Sequence, residues 1–241
     1  MTEPSFLDTL FRRWKRRVAL SDDSKRALAE LPWSSRTYAR DSYLVREGEP
    51  TTTCMLLTRG YAYRQKLVNT GARQIISFHI PGEFVDLQNS MLEVADHNVQ
   101  SLGRSTVAVV NKEHLTSLMA SDANIRRALW LDSLIDASVF REWVVNVGRR
   151  NARTRIAHLL CELALRLDSS RVADGSMFDF PLTQEQIADA TGLTAVHTNR
   201  TLQALRKEGL INLTANQLTI LDWNKLADVG DFSERYLHHG V

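Results

Sequence analysis

The sequence predicts an α+β protein in three parts: an N-terminal antiparallel β-domain, a long central helix and a C-terminal winged helix-turn-helix. Three observations carry this. Short β-branched and aromatic runs, separated by glycines, occupy residues 38–111. A helical apolar periodicity follows from residue 113 to residue 167. Two short amphipathic stretches of different charge then flank Gly192. The expected domains are residues 1–119 for N-terminal helices and β-domain, 120–150 for the central helix and 151–241 for the winged helix-turn-helix.

Bulk properties narrow the function classes. The chain has 241 residues, 44% of them hydrophobic, which suits one large domain or two small ones. A formal charge of +2 is too mild to imply an anionic partner, so any such argument needs charge concentrated locally. No apolar run reaches the roughly 18 residues of a membrane span, and no membrane partner is expected. The start, "MTEPSFLDTLFRRWKRRVAL", carries its charges inside an amphipathic pattern and has no apolar signal core, which points to the cytoplasm. Cys54 and Cys161 are far apart among apolar neighbours and suggest no disulfide framework.

Residues 5–30 read as one or two short helices, with Arg12, Arg13, Lys15, Arg16 and Arg17 as a solvated face; a nucleic-acid or membrane patch is the alternative. The runs "SYLVREG", "CMLLTRGYAYRQKL", "RQIISFHI" and "STVAVV" read as strands, with turns at Gly48, Gly60, Gly71, Gly82 and Gly103. Strands at that spacing indicate a sandwich or barrel. In the central helix, Trp130, Leu134, Ala137, Val144 and Val147 share one stripe, while Leu131, Ile135 and Val139 share another. A helix apolar on two sides needs two coverings. The β-domain supplies one, and either a second copy of the helix or a larger monomeric core supplies the other. Ile156, Leu159, Leu160, Leu163, Ala164 and Leu167 then make a one-sided core stripe. "DSSRVADGS" reads as a loop and "MFDFPL" as a short strand.

In "PLTQEQIADATGLTAVHTNRTLQALRKEGLI", residues 181–211, Thr183 and Gln186 form a capping-box signature that starts a helix. Gly192 stops it, because glycine accepts the positive φ of a helix-ending turn. Thr194 caps a second helix running to Lys207. Two short helices joined in this way form a helix-turn-helix, and the small Ala188 suits their close crossing. Arg200, Arg206, Lys207 and His197 lie on the second helix, which has no acid, whereas the first carries Glu185 and Asp189. The second helix is therefore the one suited to phosphates and base edges. "INLTANQLTIL" adds a hairpin around Ala215-Asn216, as a wing would. An αα-hairpin inside a core is the alternative reading.

Across nearly its whole length the chain resembles the bacterial cyclic-AMP receptor/fumarate-nitrate regulator (CRP/FNR) superfamily. "RTRIAHLLCEL" with residues 181–211 carries the specific likeness; "REGEP", "LTRGYAY" and "IPGEF" carry a looser one. The resemblance implies a cyclic-nucleotide-binding-like β-roll, a homodimer built on the 120–150 helix, a palindromic double-stranded DNA site and RNA polymerase as protein partner. Arg200 falls at the family's base-reading arginine, whose fork suits guanine O6 and N7. Thr183 and Thr194 fall at helix starts that contact phosphate. Val196 replaces the usual base-reading glutamate and suits a thymine methyl. Gln184, His197, Asn199 and Gln203 complete the implied DNA-facing set; Asn199 can offer its amide to a base or a phosphate, and for His197 and Asn199 a merely solvent-facing position is the alternative.

The family's Gly-Glu and Arg-Ser signature for a cyclic nucleotide falls at Asp86-Leu87 and His97-Asn98. Without the arginine a cyclic phosphate loses its charge-assisted fork, so cyclic nucleotide is not expected. Asp86, His97 and Asn98 are then candidate contacts for a different, unidentified effector, or ordinary turn residues. Two distant cysteines cannot supply the about four thiolates of an iron–sulfur cluster. Zinc spacing is absent, so no metal and no cofactor are expected, while haem on His79, His97 or His114 stays open without an attachment motif. A cupin-like enzyme with an appended DNA-binding domain, and a constitutive regulator whose β-roll is only a scaffold, remain the competing readings.

Overall fold

The computed structural model describes residues 6–15, 17–168, 173–214 and 216–238. Arg16, residues 169–172 of the expected loop, and Ala215 of the expected hairpin turn lie outside them. Two short helices, α1 (Asp8–Lys15) and α2 (Asp22–Ala29), come first, and Ser21 caps α2 by accepting from the Ser24 amide. The basic run departs from a solvated face. Arg13 pairs with Glu83, and Arg17 pairs with Asp132, which also accepts from Trp14 Nε1 at 2.7 Å. Burial pushes the Asp132 carboxyl up while Arg13, Trp14 and Arg17 pull it down. Long arginine stems can cross the apolar flank of α1 to reach such acids. Arg12 and Lys15 do face solvent.

The β-domain has two sheets. One has the order β1 (Ser34–Tyr38), β7 (Ser105–Asn111), β3 (Thr53–Arg59). The other has the order β2 (Tyr43–Val45), β6 (Asn98–Ser101), β4 (Ala62–Leu67), β5 (Arg73–His79). β3 and β7 read as unbroken apolar runs because both of their faces are covered. Met55, Leu57, Val107 and Val109 join a core with Leu44, Val85 and Val99. Cys54, Leu56, Ala108 and Val110 join a second core with Leu10, Trp14, Leu28 and Leu115.

Two strands escaped the sequence reading. β1, "SSRTY", is an exposed edge strand with no apolar alternation, and only its antiparallel ladder to β7 makes it a strand. β6, "NVQS", is wholly buried although mostly polar. Gln100 in it accepts from Tyr63 Oη at 2.7 Å and Gln65 Nε2 at 2.8 Å, so burial costs it little.

Helix α3 (Lys112–Ser121) leads into α4 (Ala123–Arg149), a 27-residue helix about 40 Å long. Ile125, Leu129, Ile135, Val139 and Trp143 of α4 are buried, whereas Trp130, Leu134 and Val144 are 63%, 52% and 58% exposed. Helix α5 (Ala152–Asp168) corrects an expectation: it is not one-sided, because every residue from Ile156 to Leu165 is buried, His158 and Glu162 included. Contacts divide the chain into two compact units. One holds the β-domain and the first half of α4. The other holds the second half of α4, the C-terminal elements and segment 67–76.

Candidate nucleic-acid interface

The second unit contains β8 (Ser176–Asp179), α6 (Gln184–Thr191), α7 (Ala195–Lys207), β9 (Ile211–Thr214), β10 (Gln217–Ile220) and α8 (Trp223–Val229). At the start of α6 the capping box is complete: Thr183 Oγ1 accepts from the Gln186 amide, and Gln186 Oε1 accepts from the Thr183 amide at 2.9 Å. Gly192 ends the helix in the left-handed region, with φ 64° and ψ 39°. A Cβ there would also lie 3.1 Å from Val147 Cγ1, which would have to give way. Arg155 Nη1 donates to the Thr191 carbonyl at 2.9 Å, satisfying an acceptor left open at the helix end.

Thr194 caps α7 by accepting from the His197 amide at 3.2 Å. Both cap threonines keep a hydroxyl proton that can be donated to a phosphate. Thr198, Thr201, Leu202 and Leu205 bury one face of α7. The opposite face presents Val196, 66% exposed, with His197, Arg200 and Gln203 also exposed and Asn199 half-buried. Gln184 is exposed on the first turn of α6, and its Oε1 accepts from Asn199 Nδ2 at 2.8 Å. The eight residues expected to face DNA therefore lie on one or the other helix of a single motif. Burial of Ala188, on the helix that packs against α7, fits the close crossing.

β9 and β10 form the expected hairpin, with the left-handed Asn216 (φ 65°) in its turn, and β8 pairs with the far side of β10. A shallow groove between α7 and the hairpin is lined by Gln203, Arg206, Lys207, Ile211, Asn212 and Leu221. It is basic at its α7 side, through Arg206 and Lys207.

Sequence reasoning missed a buried polar hub behind this motif. Glu162 Oε2 accepts from Trp143 Nε1 at 2.9 Å and Tyr236 Oη at 2.8 Å, while Oε1 accepts from Arg166 at 2.9 Å. His158 Nδ1 meets the Gly230 carbonyl, and its Nε2 meets Tyr236 Oη, each at 3.0 Å. Burial and then Arg150 hold the His158 pKa down. Polar residues at core positions of α5 were the only signal in the sequence. Apart from Arg166 on the same helix, their partners come from α4 and from the C-terminal segment.

In the β-domain, Asp86, His97 and Asn98 are all buried, and each is committed to its own partners. Asp86 Oδ1 accepts from the Met55 amide at 2.7 Å, and burial pushes its carboxyl up to about 7. His97 Nδ1 lies 2.6 Å from Asp96, and its Nε2 lies 3.1 Å from Gln88. Asn98 Oδ1 accepts from the Glu47 amide at 3.0 Å. Arg64 is a cation that acts on both Asp86 and His97, yet its guanidinium donates to Asp136 at 2.7 Å and to the Val85 carbonyl. Asp136 is pushed up by burial, but Arg64 and His79 outweigh that and hold it below its ordinary value. These residues do not fit a cyclic nucleotide: the cation is already neutralised, and a buried carboxyl stands beside it.

Among the described residues, no three His, Cys, Asp or Glu side chains gather as metal ligands. Cys54 and Cys161 are buried, and burial raises both thiols far above their ordinary range. Neither is poised as a reactive thiolate. Among the described residues, no helix is long and apolar enough to cross a membrane.

Comparison with known proteins agrees with this geometry. A family model described as a cyclic nucleotide-binding domain matches residues 35–122, and one described as a Crp-like helix-turn-helix domain matches residues 154–229. The chain is similar to the transcriptional activator protein FnrL of Cereibacter sphaeroides, 27% identical over 90% of this chain and 88% of the relative. It is also similar to the nitrogen fixation regulation protein FixK of Azorhizobium caulinodans, 24% identical over 76% of this chain and 73% of the relative. The solved structure of FixK2 from Bradyrhizobium japonicum shares the fold with a TM-score of 0.77, at 24% identity over 84% of this chain and 100% of the other.

Proposed function

Because the chain belongs to the CRP/FNR superfamily of bacterial DNA-binding transcription regulators, we propose that it acts as a cytoplasmic homodimer reading a palindromic promoter site. One observation carries the reading: a doubly capped two-helix turn exposes Val196, Arg200 and Gln203 on one face of α7, with the half-buried Asn199 among them. Arg200 makes the bidentate guanine contact, and Val196 meets a thymine methyl. Thr183 and Thr194 donate to phosphates at the two helix starts, with Gln184, His197 and Gln203 completing the DNA-facing set. The exposed stripe of Trp130, Leu134 and Val144 on α4 is covered by the same helix of a second copy. RNA polymerase is the further protein partner, and the chain catalyses no reaction of its own.

The β-roll is the input side, with Asp86, His97 and Asn98 as contacts of an effector other than a cyclic nucleotide. Such an effector can act only through unequal affinity for DNA-competent and incompetent states. A second reading, a constitutive regulator with a scaffolding β-roll, is favoured by the hydrogen bonds that already engage these three side chains. Full-affinity DNA binding by the protein alone, unchanged by candidate ligands, would support that second reading.

The test of the DNA-reading proposal is Arg200→Ala on a site selected from random duplexes. Discrimination between that site and scrambled DNA should collapse, with fold and oligomeric state unchanged. A variant that still discriminates as wild type does would overturn the assignment.

A further inference from the structure

Asn199 and Gln184 belong to different helices, and the contact between their amides restricts what α7 can present. Asn199 Nδ2 donates to Gln184 Oε1 at 2.8 Å, with Gln184 on the first turn of α6 and Asn199 beside Arg200 on α7. A free asparagine amide can turn over and show either its donor or its acceptor first. This one is fixed. Nδ2 carries two protons and Oδ1 two lone pairs. With one proton spent on Gln184, one donor and one acceptor are left side by side on the outer face. That pair matches the N7 acceptor and N6 donor of adenine in the major groove, and no other base edge there offers the same complement to an amide.

We propose that Asn199 reads an adenine at the base step next to the one read by Arg200, and that Gln184 is the positioning residue that sets its amide. The surroundings favour this over a phosphate contact. Val196 lies one turn before Asn199 on the same face and, at 66% exposure, offers a methyl surface suited to the thymines of an A·T-containing step. Apart from Arg200, which is assigned to a guanine edge, the cationic side chains of α7 that phosphates prefer are Arg206 and Lys207 near its end. Gln184 keeps its own Nε2 protons and can donate to the backbone while holding Asn199. The inference rests on the proposed function, in that α7 must enter the major groove.

The experiment uses the full chain and a duplex selected from a random pool, with every half-site position then replaced in turn and each affinity measured by fluorescence anisotropy. Wild type should prefer adenine at one position by at least about fivefold over the other bases. Asn199→Ala should remove that preference alone, leaving discrimination at the Arg200 position intact. Gln184→Ala should weaken the adenine preference without weakening the others. Gln184→Glu can only accept, so it should keep the adenine preference while its added charge lowers affinity evenly for all sites. Matching thermal melts exclude misfolding as the cause.

Should Asn199→Ala lower affinity equally for every sequence, Asn199 is a phosphate or structural contact and the inference fails. Wild-type adenine preference in Gln184→Ala would remove the positioning role. If no site is selected, or Arg200→Ala keeps full discrimination, the underlying reading of α7 fails instead, and the two failures are told apart.

Discussion

Asp86 provides the most quantitative prediction. Its side chain is fully buried, accepts from the Met55 amide and titrates near 7 rather than at its ordinary 3.8, first because of burial. Arg64 and hydrogen bonds oppose that rise without cancelling it. The folded state therefore keeps a proton that the unfolded chain has released, and stability falls as pH rises through that interval. A shift of about three units, at about 1.4 kcal/mol each, makes the total loss about 4 kcal/mol. It is complete above the folded value and absent below the unfolded one.

Asp86→Asn keeps an oxygen for Met55 and cannot titrate. Between about pH 4.5 and about pH 8 its stability relative to wild type should therefore rise by about 3 kcal/mol. Hydrogen exchange of the β3 and β7 amides in both proteins would measure this, because those amides report the β-domain alone and the comparison cancels all other titrations. A difference between the two proteins that stays constant to within about 1 kcal/mol across that range would refute the reasoning.

Three further predictions concern packing. Gly192→Ala should cost about 1–2 kcal/mol for the left-handed backbone, with added crowding against Val147. It should also weaken specific DNA binding by re-aiming α7; denaturant unfolding and anisotropy that both match wild type would contradict this. Glu162→Ala leaves Trp143, Tyr236 and Arg166 without their shared buried acceptor and should destabilise the second unit by about 3–5 kcal/mol. Glu162→Gln should cost less, and equal denaturation midpoints for the two variants would count against the hub. Trp130→Glu with Leu134→Glu should yield a folded monomer by sedimentation equilibrium, whereas an unchanged dimer mass would move the interface away from α4.

Local chemistry was legible in the sequence wherever neighbours along the chain decide it. Thr183, Gln186, Gly192 and Thr194 announced two helices and the turn between them, because caps and positive φ depend on a few adjacent residues. Arg200 and Val196 were placed on the DNA-facing side of the second helix by the family resemblance, and both are exposed there. Tertiary structure decided the rest. Strand β1 has no pattern of its own and exists because β7 offers it a ladder. Arg13 and Arg17, polar in sequence, turned inward because Glu83 and Asp132 from distant elements need their charge. The burial of α5 on all sides depends on Trp143 and Tyr236, which supply the donors that let Glu162 enter a core. The amide of Asn199 acquired a direction only when α6 brought Gln184 against it. A sequence records what each side chain can donate, accept or bury, but which of those capacities are used depends on partners brought together by folding.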